Sequence, residues 1–344
     1  MPPVQVAVVG VGHLGSLHAR IYSQMERIEL TGVYDIDNSR STEIAHRFKV
    51  RSFASLEQLA ESAQAVSLAV PTNLHHTLGK FLLERGIHLL VEKPITEHAD
   101  QAAELVELAA SKGVILQVGH VERFNPALLA ASSYIRDALF VESLRLAPFN
   151  VRGTEVPVVL DLMIHDIDII LSIIDRPVVE ISASGLPVIT DKVDIASARL
   201  NFEGGAVANV VASRVSMKRE RKMRFFSPDR YVSVDLLKKV AVSYRKRPGA
   251  DFSERTLRTG GLKTLPSMSE LVERNPLKVD RRAEPLVLEL ENFIECVVSG
   301  RRPVVDGVDG MRALEVADRI MKAIGDSLSH AGLANLKPGN KESG

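Results

Sequence analysis

The turn Gly10-Val11-Gly12-His13-Leu14-Gly15 constrains this chain more than any other stretch. It follows VQVAVV (residues 4–9), an apolar run rich in β-branched residues, the pattern of a strand buried on both faces. A helical stretch runs on from about Leu14 to Met25. Strand, glycine turn and helix in that register form a dinucleotide-binding fingerprint. Each glycine has its own task. Gly10 makes the tight turn, Gly12 lets a pyrophosphate approach the backbone, and Gly15 lets the helix sit close to the strand. The free N–H groups at the helix start then face the phosphates. A second strand, ELTGVY (29–34), ends at Asp35. A carboxylate there hydrogen-bonds the adenine ribose and repels a 2′-phosphate, which favours NAD over NADP. Arg40 is near enough in sequence to keep NADP open.

From residue 4 to about 119, strand and helix patterns alternate. Further strands are expected over 50–53, 65–70, 87–91 and 114–118, and helices over 38–47 (capped by Asn38 or Ser39), 75–85 and 97–111. Such alternation marks a doubly wound parallel sheet. After about residue 121 the pattern changes. Residues 157–174 (PVVLDLMIHDIDIILSII) read as one helix. Alternating runs follow at 194–202, 206–216, 221–226, 230–235 and 239–245, the first two joined by Glu203-Gly204-Gly205. Successive strands without helices between them imply a mostly antiparallel sheet. Residues 249–282 look loop-like, and 285–299 and 309–329 look helical. The expected architecture is an α/β N-terminal Rossmann domain over 1–120 and an α+β domain over 121–336. The second domain, with a large, mostly antiparallel open sheet, would serve substrate binding and oligomerisation. A polar tail, 337–344, is expected to be disordered.

Lys plus Arg and Asp plus Glu both number 43, so no long-range field pulls the chain toward nucleic acid or an anionic membrane. Neither is an expected partner, and no apolar run reaches the roughly 18 residues of a membrane span. Cys296 is the single cysteine and has no internal disulfide partner, which fits a reducing compartment. The apolar N-terminus lacks a basic leader region. A cytoplasmic location is expected, and no metal site.

Three further strings carry chemistry. Glu92-Lys93-Pro94 closes a strand at the carboxyl edge of the sheet, where open α/β sheets bind ligands. Pro71-Thr72-Asn73-Leu74-His75 follows the strand over 65–70. Asp161-Leu-Met-Ile-His165-Asp-Ile-Asp168 places Asp161 and His165 four apart, so on one helix face, with Asp168 and Ser172 continuing the stripe. Leu160, Met163, Ile164, Ile167, Leu171 and Ile174 make the inward stripe. An isolated Asp/His pair is more often a solvated polar face; the apolar helix and the placement of Lys93 weigh toward catalysis. Together, in this order, the strings resemble the Gfo/Idh/MocA (glucose–fructose oxidoreductase / inositol dehydrogenase) family over nearly the whole chain.

That resemblance implies hydride transfer between a secondary alcohol and nicotinamide. It assigns Lys93, His165 and Asp161 as catalytic. It assigns Gly10, Gly12, His13, Leu14, Gly15, Asp35, Pro71, Thr72, Asn73, His75, Glu92 and Lys93 to NAD, and Lys93, Arg123, Asn125, Asp161 and His165 to the substrate. Histidine suits proton removal at neutral pH, and a lysine ammonium stabilises a developing alkoxide. Whether Lys93 or His165 is the base stays open. The resemblance further implies a homodimer or homotetramer.

Within the family, VGHVERFNP (118–126), LDLMIHDIDI (160–169) and RVSMKRERK (214–222) look most like UDP-N-acetylglucosamine 3-dehydrogenases, which work with an aminotransferase toward a 3-amino sugar nucleotide, in some bacteria for lipid A. From Arg214 to Arg247, twelve Lys/Arg face only Glu220, Asp229 and Asp235. Such a stretch could hold a sugar-nucleotide diphosphate, or could be a solvated sheet face. Another sugar or inositol-like substrate, or a non-catalytic sensor, remains an alternative; intact Lys93 and His165 argue against the sensor.

Overall fold

The computed structural model describes residues 2–151, 153–248 and 268–332. The expected tail, 337–344, and residues 249–267 of the expected loop lie outside them. The chain divides into two compact units. One comprises Met1–Phe124 with Ala283–Asp318, and the other Asn125–Arg282 with the chain from Arg319.

The first unit holds six parallel strands: β1 (Val4–Val9), β2 (Ile28–Tyr34), β3 (Arg51–Ser52), β4 (Ala65–Leu68), β5 (His88–Glu92) and β6 (Leu116–Gly119). Their order is β3-β2-β1-β4-β5-β6, the doubly wound arrangement whose strand order reverses between β1 and β4. Between them run α1 (His13–Tyr22), α2 (Asn38–Phe48), α3 (Leu56–Ala60), α4 (His75–Glu84) and α5 (Ala99–Lys112). The cap of α2 is Asp37, one residue before the expected Asn38 or Ser39, because its carboxylate accepts from the N–H groups of both Ser39 (3.1 Å) and Arg40 (3.2 Å). Helix α3, with Ser55 as cap, is too short to show periodicity and was not expected.

In the second unit, α6 (Pro126–Ala131), β7 (Phe140–Leu146) and α7 (Ile164–Ile173) precede a run of strands. These are β8 (Val178–Leu186), β9 (Ile195–Phe202), β10 (Val207–Ser213), β11 (Glu220–Ser227), β12 (Arg230–Asp235), β13 (Val240–Lys246) and β14 (Val272–Pro276). The eight strands order as β14-β13-β12-β11-β7-β10-β9-β8, antiparallel except for the β7–β10 pair. β9 and β10 join through the Glu203-Gly204-Gly205 turn. Three of the strands were not expected from the sequence, because none buries a continuous apolar face. The buried side of β7 is Val141, Ser143 and Arg145, two of them polar; β8 and β14 are largely exposed edge strands.

The expected helix over 157–174 opens as a π-turn, Val159–Met163, before α7. The Ile164 N–H reaches back five residues to the Val159 carbonyl. α7 is buried nearly all round, and Asp168 lies at 2% exposure rather than on a solvated stripe. Asp166 faces Arg145 of β7, with Nε 3.1 Å from both carboxylate oxygens and Nη2 2.6 Å from Oδ1. Beyond these elements, α8 (Pro285–Ser299) belongs to the first unit, where Leu290, Phe293 and Ile294 join the core of Val4, Val6, Val8 and Tyr22. α9 (Gly307–His330) follows it. Among the described residues no helix is long and apolar enough to cross a membrane.

Removing one partner of a buried ion pair leaves the other charge uncompensated, at a cost of about 3–5 kcal/mol. Asp166→Ala should therefore lose about that much in urea unfolding, whereas Glu142→Ala, whose partner Arg224 is exposed, should change stability little.

Candidate active site

The carboxyl edge of the first sheet is built by close backbone approach. Gly10 has φ +80°, and a Cβ on it would lie 2.5 Å from the Ala69 carbonyl oxygen that follows β4. A Cβ on Gly15 would stand 1.8 Å from the Gly10 carbonyl, so α1 sits directly on the turn. Gly12 has open space where its Cβ would go, and its backbone is extended with φ −65°. No acidic residue occupies the first turn of α1, and His13 and Leu14 are exposed there. Asp35, buried at the end of β2, accepts from the N–H groups of Val11 (2.8 Å) and Asp37 (2.9 Å). The Arg40 guanidinium lies 3.4 Å from Asp35 and 3.3 Å from Asp37. An open backbone cradle at a helix start, with a carboxylate beside it, fits NAD.

At the end of β5, Lys93 and Pro94 are joined by a cis peptide bond, and Lys93 is half-buried. Glu92 is buried. Its carboxylate stands 3.3 Å from His18 Nε2 and accepts from the Lys93 N–H at 3.3 Å. A Cβ on Gly119 would come within 2.7 Å of that carboxylate, so the Glu92 side chain packs directly over the Gly119 backbone. Tyr22 shares a 2.8 Å hydrogen bond with Ser67, and burial pushes its hydroxyl well above the usual tyrosine range. Burial, with the Lys93 and Arg123 cations, pushes His120 down to about 3, so it stays neutral at physiological pH. His75 is buried, with Nδ1 2.9 Å from the Pro94 carbonyl and Nε2 2.9 Å from the Val70 carbonyl. Pro71 and Asn73 stay exposed beside it and Thr72 half-buried. Arg123 donates to the Val304 carbonyl at 3.0 Å.

In the second unit, Asp161 lies in the π-turn and His165 in the first turn of α7, both half-buried. The backbone of Gly153 (φ +82°) abuts Asp161: a Cβ there would be 2.9 Å from Oδ2. Arg214 holds that segment by donating to the Gly153 and Val156 carbonyls, both at 2.6 Å. Its Nε lies 3.8 Å from Asp194, which accepts N–H bonds from Val188, Ile189 and Thr190. Asn125 caps α6 through Ala127 N–H (3.1 Å) and donates to the Leu236 carbonyl (3.0 Å).

The basic stretch is not one patch. Arg214 is buried, Arg224 pairs with Glu142, and Lys222 pairs with Glu220. Arg230 and Arg245 share Asp229. The sequence shows no sign of Arg145–Asp166 or Asp194–Arg214, because each joins residues far apart in the chain.

A glycine cradle on a doubly wound sheet, followed by a unit whose buried helix carries Asp161 and His165, defines an NAD-binding oxidoreductase of two domains. Residues 4–120 match the oxidoreductase family with NAD-binding Rossmann fold, and residues 151–229 match the GFO/IDH/MocA C-terminal domain. The chain belongs to the Gfo/Idh/MocA family. It is 34% identical over 326 residues to the UDP-N-acetylglucosamine 3-dehydrogenase of Acidithiobacillus ferrooxidans, covering 93% of this chain and 97% of that one. A solved structure of that enzyme superposes with a TM-score of 0.86 at 32% identity, over 95% of this chain and 99% of the other. The NAD-dependent scyllo-inositol 2-dehydrogenase of Bacillus subtilis is 25% identical over 91% of this chain and 92% of its own. A levoglucosan dehydrogenase in complex with NADH and L-sorbose shares the fold, with a TM-score of 0.81 at 16% identity over 95% of this chain and 98% of its own.

Gly12→Ala should fold normally, since nothing in the protein meets its Cβ, yet bind NADH more weakly by fluorescence titration. Gly15→Ala should lose both binding and thermal stability. Asp35→Ser should raise affinity for NADP relative to NAD by removing the repelling charge; an unchanged ratio would place selectivity elsewhere.

Proposed function

We propose that this protein oxidises the 3-hydroxyl of UDP-N-acetylglucosamine with NAD. The observation that carries the reading is the near full-length likeness to an enzyme of that name. When bound, NAD supplies a nicotinamide that accepts hydride from the substrate carbon. His165 takes the hydroxyl proton, Asp161 orients that histidine or a neighbouring hydroxyl, and Lys93 hydrogen-bonds the reacting oxygen and stabilises the charge that grows on it. The π-turn beneath Asp161 supports a functional role for this helix, since such turns recur at functional sites.

With Arg214, Lys222 and Arg224 engaged, the exposed Lys218 and Arg219 between β10 and β11 are the cations assigned to the diphosphate. The sugar nucleotide's remote binding energy would then help orient the reacting carbon. This reading places the protein in the cytoplasm, ahead of an aminotransferase that makes a 3-amino sugar nucleotide for lipid A. It also takes the protein as a homodimer or homotetramer. Support for association comes from the half-exposed ladder of Phe140, Phe226, Tyr231 and Tyr244 across four strands, with successive ring centroids 5.6, 4.8 and 5.0 Å apart.

NADH formation should occur with UDP-N-acetylglucosamine and fail with free N-acetylglucosamine when an aminotransferase removes the ketone. Equal rates with both sugars, or none with either, would overturn the substrate assignment. His165→Ala should cut kcat by about 10²–10⁴-fold with NAD affinity nearly unchanged. A variant that keeps more than half of wild-type activity would make His165 structural.

A further inference from the structure

His75 is buried at the start of α4, yet both ring nitrogens are engaged. One meets the Pro94 carbonyl just after Lys93, and the other meets the Val70 carbonyl after β4, each at 2.9 Å. β4 and β5 are neighbours in the sheet, so a single side chain bridges the two loops at their carboxyl ends. A neutral imidazole donates to only one carbonyl, and donation to both requires the imidazolium. Burial outweighs the pull of the two carbonyls and the Glu92 carboxylate and holds its pKa below the ordinary histidine value, which favours the neutral ring with one nitrogen donating and the other resting against the second carbonyl.

We propose that His75 is a positioning residue: it ties the Lys93–Pro94 turn to the end of β4 and so fixes where the Lys93 ammonium stands. The inference rests on the reading that Lys93 acts on the substrate oxygen. His75 has no ring nitrogen left for a cofactor, so its effect is on orientation. Misplacing a catalytic group by about 1 Å can cost on the order of 10²-fold in rate.

Two conservative variants separate the arms of the bridge. In His75→Asn the amide nitrogen stands near the Nδ1 position and keeps the Pro94 contact. In His75→Gln it stands near Nε2 and keeps only the Val70 contact. Steady-state kinetics, NADH titration and thermal melts would be run on both, in the wild-type and the Lys93→Ala backgrounds. Expected is a kcat order of wild type, then Asn, then Gln, with Gln at least about tenfold down and NADH affinity close to wild type. In the Lys93→Ala background the Gln change should cost nothing further, because the group it positions is gone. Gln equal to or better than Asn, or the same fold loss in both backgrounds, would overturn the proposal and leave the Lys93 reading standing. Lys93→Ala at wild-type rate would instead remove the Lys93 reading, and this one with it.

Discussion

Helix α1 can begin where it does only because Gly10 and Gly15 carry no side chains. The 1.8 Å separation between the Cβ position of Gly15 and the Gly10 carbonyl oxygen leaves room for a hydrogen atom alone. Backbone therefore packs on backbone, and the helix start lies at the crevice between β1 and β4. Other features follow from that closeness. Tyr22 and His18 descend from the same helix into the sheet, where they meet Ser67 of β4 and Glu92 of β5. The phosphate-facing edge and the support beneath Lys93 are thus two ends of one helix placement.

The carboxyl edge carries more buried polar groups than a purely structural core would choose. His18, Ser67, His75, Glu92 and His120 all lie within one unit, between otherwise apolar strands and helices. Burial of such groups is costly without partners. Two of them find backbone partners, the Val70 and Pro94 carbonyls for His75 and the Lys93 N–H for Glu92. Holding loops by their own carbonyls and N–H groups fixes main-chain position directly. That suits a site where a cofactor and a reacting oxygen must be placed together.

Legibility in the sequence tracked how local the physics is. The parallel strands read clearly because each is an apolar run closed by a turn; β4 shows this best, as AVSL ahead of Pro71. The glycine turn and Asp35 were legible because their spacing is itself the mechanism. The strand β7 was hidden because two of its inward residues, Ser143 and Arg145, are polar. Arg145 is tolerated there only through Asp166, on a helix twenty-one residues later. Nothing in Pro285–Ser299 announces which sheet it covers, since any apolar face would serve its stripe; it joins the first unit through Phe293. The family resemblance assigns Asn125 to the substrate, and the charge of the basic stretch offers Arg214 to a diphosphate; in the structure Asn125 also bonds main-chain groups at Ala127 and Leu236, and Arg214 bonds the Gly153 and Val156 carbonyls. Side-chain type is visible in a sequence, but the competing partner that engages it is not.

Cofactor selectivity illustrates the same point at a single site. The carboxylate of Asp35 accepts from two backbone N–H groups and lies beside Arg40, so it has structural work of its own at the glycine turn. Arg40 is held from two sides, by Asp35 and by the cap residue Asp37. Its guanidinium is therefore compensated by two carboxylates and is poorly placed to welcome a 2′-phosphate. Loss of Asp35 would leave Asp37 still holding Arg40, and would also free the Val11 N–H of the glycine turn. Asp35, Arg40 and Asp37 thus form one ion-paired cluster beside the glycine turn. The sequence offers Asp35 and Arg40 as opposing signals, whereas the geometry pairs them with each other and with Asp37.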